Sequence, residues 1–255
     1  MTEITPQSLF LQLRGNNRAL CIEAINTGRL DVLEWALENG HLVTNYAADL
    51  CNEAAKKGHL HILQWLREHN CFQTGRLCEL AVEYGHLHII KWAYQIGCSL
   101  DEHMCTMAVV GNHLHILQWL RLHNCPWNED VCEMAATYGH FEILKWAHDN
   151  GCPWDKYDMC SHAVTFNNLE ILKWLRTKGC DDRYICLEAV ECGNLPILKW
   201  ARENGCPWNS KIYKTAVEYE HWHIVKWLLE NNYFQNLKQF KWKHLQCFEW
   251  VQNYN

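Results

Sequence analysis

The side chains with the greatest chemical capacity in this sequence are cysteines and histidines, and both recur in register. Cys21, Cys51, Cys78, Cys105, Cys132, Cys160 and Cys186 form one ladder, and Cys71, Cys98, Cys125, Cys152, Cys180 and Cys206 form a second. No two cysteines stand in CxxC spacing, the arrangement by which a short segment offers two thiolates to zinc. Neighbouring helices in a stack lie about 8–10 Å apart. A disulfide wants Cα atoms within roughly 7 Å, so neither ladder bonds along its own length. That argument leaves open whether the two ladders approach each other. The role expected of these cysteines is that of small, buried, reduced apolar residues. The histidines come as "HLH" at His59/His61, His86/His88 and His113/His115. Residues two apart on a helix point about 200° away from each other, so one helix cannot chelate through both. The sequence also lacks a Gly-rich phosphate loop, a GxSxG elbow and an HExxH pair. No metal, cofactor or catalytic activity is expected.

Composition narrows the class further. The chain has 255 residues, is 49% hydrophobic and carries a net charge of −6 with its basic residues scattered. No basic stripe offers itself to phosphate, which argues against nucleic acid. No apolar run reaches bilayer length, and "MTEITPQSLFLQLRGNN" lacks the basic start and apolar core of a signal peptide. The odd count of 15 cysteines without a secretion signal fits a reducing compartment. A soluble, cytoplasmic protein is expected. The 14 tryptophans and 16 histidines are explained by repetition.

The elements that position these residues repeat. The tryptophan of "ILKW" and its variants recurs as Trp35, Trp65, Trp92, Trp119, Trp146, Trp174, Trp200 and Trp227, with a worn copy at Trp250. A period near 27 residues held this long is the mark of a solenoid. One unit reads from Asn128, expected as a helix cap, through "NEDVCEMAATYG" to Gly139, which suits a left-handed stop. "HFEILKWAHDNG" follows as a second helix closed by Gly151, and "CPW" bridges to Asp155, the next expected cap. Two helices of about ten residues and two turns fill the period, leaving no room for a strand.

The faces of these helices differ. Phe141, Ile143, Leu144, Trp146 and Ala147 spread over well over half of the second helix, so it is pressed from several sides. On that reading Trp146 belongs to the core, and Trp127, Trp154 and Trp208 of the "CPW" turns cover the end of the stack. Cys132, Ala135 and Ala136 line one side of the first helix and permit close approach. Its polar side varies between units: Glu79 and Glu83, Thr106 and Val110, Glu133 and Thr137, Ser161 and Thr165. A constant framework with one changing stripe suggests a scaffold that varies its surface for recognition.

"AATYGHFEILKWAHDNGC" resembles the ankyrin repeat, in which two alanines precede Gly-His-Leu-Glu and a hydrophobic second helix follows. The resemblance runs from "CIEAINTGRLDVLEWALENG" to "TAVEYEHWHIVKWLLENN". It implies an all-α solenoid of stacked antiparallel helix pairs, and a bond from the first histidine of each second helix to backbone of a neighbouring unit. The period is shorter than the ankyrin 33 residues, and the Thr-Pro-Leu-His opening is missing. The shortfall falls where ankyrins place a β-hairpin, so that finger is expected to be absent or reduced to a turn. The style of "GHLHILQWLREHNC" and "GCPWD" is similar to ankyrin-like repeats of giant viruses of amoebae, which implies a viral source and a host-protein target.

The expected organisation is a single repeat domain over 1–255. Residues 1–15 hold an N-terminal capping helix opened by Thr5 and Pro6. Residues 16–232 hold eight ankyrin-like repeats, and 233–255 a degenerate capping repeat bearing Lys238, Lys241 and Lys243. The expected function is non-catalytic protein–protein recognition by a monomer in the cytoplasm, that of the host if the source is viral. Ankyrin-like stacking implies that first helices line a hollow. Glu79, Glu83, Tyr84, Glu102, Glu129, Asp130, Glu133 and Tyr138 are therefore expected to bind a basic protein. Two alternatives remain: a structural, virion-associated protein that packs against itself, and metal or redox buffering by the Cys/His ladders.

Overall fold

Short helices are marginal in water and depend on what they pack against, so a chain built from them must solve the same problem many times. The computed structural model describes residues 4–42, 44–155, 158–208, 211–231 and 233. Trp250, Lys238, Lys241 and Lys243 lie outside the described residues, as does all of the expected C-terminal repeat except Tyr233. Among the described residues there are seventeen α-helices, a 3₁₀ turn at Thr44–Tyr46 and no strand. The first is α1 (Pro6–Gln12). Pairs follow: α2 and α3 (Asn17–Asn26, Leu30–Glu38), α4 and α5 (Ala47–Lys57, Leu60–Glu68), α6 and α7 (Leu77–Glu83, Leu87–Gln95). Next come α8 and α9 (Glu102–Val110, Leu114–Leu122), α10 and α11 (Asp130–Thr137, Phe141–Asp149), and α12 and α13 (Asp158–Thr165, Leu169–Thr177). The last are α14 and α15 (Ile185–Glu191, Leu195–Glu203) and α16 and α17 (Ile212–Glu218, Trp222–Glu230).

The described residues fall into two compact units, one within 1–134 and 145–152 and the other within 135–144 and 153–233. In the first, α2, α4, α6 and α8 pack in succession and each lies against its own second helix, while α1 rests on α2 and α3. In the second, α12, α14 and α16 pack in the same order, each again against its partner. Both units are thus ladders of helix pairs.

The first helices approach closely because their buried side is small. Cys51, Ala54 and Ala55 in α4, and Cys105 and Ala108 in α8, are all fully buried, as are Cys132, Ala135 and Ala136. The second helices supply the bulk: Ile62, Leu63 and Leu66 in α5, and Ile116, Leu117 and Leu120 in α9, have no exposed surface. The ladder tryptophans sit at the margin of this core. Trp65 is buried at 7% exposure, while Trp35, Trp92, Trp119, Trp146, Trp174, Trp200 and Trp227 are partly exposed. The expectation that Trp146 fills the core therefore needs correction. Ile143 and Leu144 just before it are buried, while the indole stays partly exposed on the flank of its helix. Two of the turn tryptophans, Trp127 and Trp154, lie beside ladder tryptophans instead of covering an end. Trp127 meets Trp146 edge-on at 5.9 Å with the Arg121 guanidinium 4.1 Å above its ring, and Trp154 lies 6.3 Å from Trp174.

Helix ends follow local chemistry. Thr5 Oγ1 accepts from Ser8 N (3.3 Å) ahead of Pro6, and Asn16 Oδ1 accepts from Ala19 N (3.0 Å). Asp101 Oδ1 accepts from Met104 N (3.2 Å). Asn128 does not cap as expected, because α10 begins only at Asp130. Its Nδ2 donates instead to Asp130 Oδ2 (3.0 Å), and its Oδ1 is buried without a hydrogen bond. First helices stop at a left-handed residue, Gly85 with φ +86° in one repeat and Gly139 with φ +75° in another. Glu220 holds the same position at φ +59° despite its side chain.

The carbonyls orphaned at those stops are taken up by the next repeat. His86 Nε2–H donates to the Lys56 carbonyl (2.8 Å), His113 Nε2–H to that of Glu83 (3.1 Å) and His221 Nε2–H to that of Glu191 (3.0 Å). Asn194 Nδ2 does the same for Val164 (2.5 Å). The second histidine of the motif adds a bond, His88 Nε2–H to the Gly58 carbonyl at 3.0 Å. These rings bind backbone, as the resemblance implies. At His140 the pattern breaks, and Nε2 is buried without a hydrogen bond.

Candidate partner-binding surface

A residue that faces away from both its partner helix and its stacking neighbours is released from packing and can vary. In the first helices these are the positions beside the buried Cys-x-x-Ala side. On α6, Glu83 and Tyr84 are exposed, the tyrosine at 49%, while Glu79 is half-buried. On α8, Glu102 is exposed at the first turn, Thr106 is half-buried and Val110 is exposed. Around α10, Glu129 and Asp130 are exposed and Glu133 is half-buried. These carboxylates all belong to the first unit, where α6 packs on α8. Tyr138, 53% exposed, belongs to the second unit.

The charge here is less uniform than a count of carboxylates suggests. Arg76 Nε donates to Glu79 Oε2 at 2.8 Å, and the Glu79 and Glu83 carboxylates hold the Arg76 guanidinium above its ordinary pKa. Earlier in the unit, Arg18 bonds Asp49 across α2 and α4 at 2.8 Å, and Lys56 pairs with Glu53 at 3.3 Å. The first pair is exposed and the second half-buried at the surface, and such pairs contribute little to stability. They do neutralise the surface over α2, α4 and the start of α6. The acidic surplus is therefore carried by Glu83, Glu102, Glu129, Asp130 and Glu133.

A second feature extends beyond Tyr84 and Tyr138, the two aromatics expected from sequence, to Phe166 and Tyr219. The residue just before the left-handed stop is an exposed aromatic in four repeats: Tyr84 in the first unit, and Tyr138, Phe166 and Tyr219 in the second. Tyr138 stacks on His140 at 6.0 Å and Tyr219 on His221 at 6.2 Å, so the histidine beneath orients each ring. The signal is legible as an aromatic ahead of Gly139-His140 or Glu220-His221. In the second unit the equivalent stripe holds a carboxyl of different character. Glu188 is pushed above the usual carboxylate range, chiefly by burial, with Ser161 pulling the other way.

Among the described residues, no three His, Cys, Asp or Glu side chains are placed to hold a metal ion. No helix among them is long and apolar enough to cross a membrane.

Residues 132–176 match the family model described as "Ankyrin repeats (many copies)". Among solved structures, the human ASB11 ankyrin repeat domain is similar with a TM-score of 0.52 at 16% identity, covering 65% of this chain and 90% of that one. No curated protein matches the sequence. The fold is an all-α solenoid of ankyrin-like helix pairs.

Proposed function

We propose that the protein is a non-catalytic recognition scaffold that binds another protein through the varied outer positions of its first helices. Ankyrin repeats generally mediate protein–protein interaction, and similarity to giant-virus repeats points to a host protein as the target. The observation that carries this reading is the contrast within single helices. In α6, α8 and α10 the buried Cys-x-x-Ala side is the same, whereas the outer positions change from Glu79 and Glu83 to Thr106 and Val110 to Glu133 and Thr137. The residues proposed to make the contact are Glu79, Glu83, Tyr84, Glu102, Glu129, Asp130 and Glu133 in the first unit and Tyr138 in the second. The acidic members select a basic partner by steering encounter, and the tyrosines supply apolar contact with a polar tip. The partner identity and the monomeric, cytoplasmic state belong to the same proposal.

Glu83, Glu102 and Glu129 are exposed and stand outside the ion pairs described above, so they are the residues to reverse. The triple change Glu83→Lys, Glu102→Lys and Glu129→Lys is expected to leave the circular dichroism spectrum and melting temperature near wild type. It should reduce capture of the partner at least tenfold at low salt. Capture at wild-type strength by the folded triple variant places the site elsewhere. Self-assembly of the purified wild type into ordered oligomers at micromolar concentration favours the structural, self-packing role instead.

A further inference from the structure

In every repeat from α4 to α15, the cysteine after the second helix follows the first-helix cysteine by twenty residues. The two ladders therefore meet as rungs. Two rungs are disulfides, Cys78–Cys98 with Cα atoms 7.2 Å apart and Cys160–Cys180 with Cα atoms 6.3 Å apart. The sequence leads to mostly reduced cysteines and leaves the approach of the two ladders open; these two rungs depart from the reduced state. The helix-spacing limit concerns each ladder by itself, whereas the turn after a second helix folds back over its own first helix.

The other four rungs hold thiols at the same register. Cys105 and Cys125 share a thiol–thiol hydrogen bond, and so do Cys132 and Cys152. Cys51 Sγ reaches the Cys71 carbonyl at 3.8 Å, and Cys206 acts electrostatically on Cys186. All eight are buried. The turns that carry the second members are also alike: Cys125 Sγ donates to the Asp101 carbonyl (3.0 Å) and Cys152 Sγ to that of Asn128 (3.3 Å), each twenty-four residues earlier.

We propose that the four reduced rungs are disulfide-forming dithiols, so that each of six successive repeats carries one redox-convertible staple between its first helix and the turn after its second. The oxidant is a small-molecule disulfide. One protein thiolate attacks a sulfur of that disulfide, forms a mixed disulfide and expels one small thiolate. The second cysteine of the rung, losing its proton to solvent, attacks the protein sulfur of the mixed disulfide and expels the other. Two protein thiols lose two electrons and two protons, and the oxidant leaves as two thiols.

The rungs are not equivalent as nucleophiles. The Cys105 S–H donates to Cys125 and holds that thiol below its ordinary pKa, with Arg121 acting in the same direction against burial and Asp101. Cys105 is driven up correspondingly. Burial pushes Cys51 to about 11 and Cys186 to about 12, and it raises Cys71 and Cys206 as well. Attack requires thiolate, and a buried sulfur reacts only when its turn opens locally. Cys105–Cys125 therefore closes before Cys51–Cys71 and Cys186–Cys206. Each closure ties one helix pair into a ring, which restricts the unfolded chain and suppresses local opening of that repeat.

The test uses the full chain, reduced completely and then equilibrated with graded ratios of oxidised to reduced glutathione. Free thiols are alkylated under denaturing conditions, and linked peptides are mapped by mass spectrometry without reduction. Thiols should disappear in pairs, linked peptides should join cysteines twenty apart, Cys105–Cys125 should form ahead of Cys51–Cys71, and the melting temperature should rise by several degrees. In a Cys125→Ala variant, Cys105 should remain alkylatable or carry glutathione while the other rungs close. The proposal fails if the eight thiols stay alkylatable at the most oxidising ratio, or if the links join cysteines at other spacings. It also fails if the thiols are shielded without linked peptides and are released by a chelator, which marks a bound soft metal.

Discussion

Replacing Trp65 by alanine is expected to cost about 3–5 kcal/mol, the loss typical of emptying an enclosed aromatic site, and the same change at Trp146 should cost less. Trp65 is 7% exposed and its ring stacks on His69 at 4.3 Å, whereas Trp146 opens onto the flank beside Trp127. A closed site leaves a cavity on truncation; an open one admits water and loses mainly the transfer energy of the removed atoms. In a stack the damage is shared by adjoining repeats and fades with distance, so one melting temperature is a poor measure of it. Native-state hydrogen exchange resolved by helix is the appropriate readout. Protection should fall most in α4 to α7 for Trp65→Ala. An equal or larger loss for Trp146→Ala would show that the flank is part of the core.

The second large effect is expected at Gly85. Its φ is +86°, and an added Cβ would stand 2.7 Å from the His113 ring. Gly151 has φ +79°, and a methyl added there would meet nothing within 4 Å. Both substitutions by alanine incur the left-handed strain, about 1–2 kcal/mol. Only Gly85→Ala must also displace the ring that donates to the Glu83 carbonyl at 3.1 Å, adding about 1 kcal/mol. The excess of Gly85→Ala over Gly151→Ala should vanish in a His113→Ala background. Persistence of the whole excess there means the methyl clashes with something other than the bridge.

These two predictions rest on features of unequal visibility in the sequence. The helix pairs, the left-handed stops and the bridging histidines are legible because local chemistry sets each of them: a glycine where only positive φ fits, and a histidine placed at a helix start. The resemblance supplied the bridge, and His86, His113 and His221 confirm it. Side-chain direction at the edge of a helix–helix contact is less legible. An apolar arc locates Ile143, Leu144 and Trp146 on one broad face but does not say which of them is fully covered, and Trp146 is the one left partly exposed. Asn128 has a capping residue type two positions before the helix begins, and the aspartate at 130 takes its amide instead. Glu79 is an outward carboxylate whose charge is matched by Arg76, a residue that precedes the helix and lay outside the pattern of the stripe. The cysteine rungs were written in the sequence as a separation of twenty residues kept through every change of period. That separation becomes a distance only when the turn after each second helix is seen to fold back on the first.

The central claim is that the outer positions of the first helices make the contact. Its most direct measurement is hydrogen exchange of the full chain with and without its captured partner, read together with surface-labelling of carboxylates. Labelling should slow at Glu83, Glu102, Glu129 and Asp130, with added protection at the ends of α6, α8 and α10. Protection confined to the second helices or to the "CPW" turns, with those carboxylates labelled as fast as in the free protein, would contradict it.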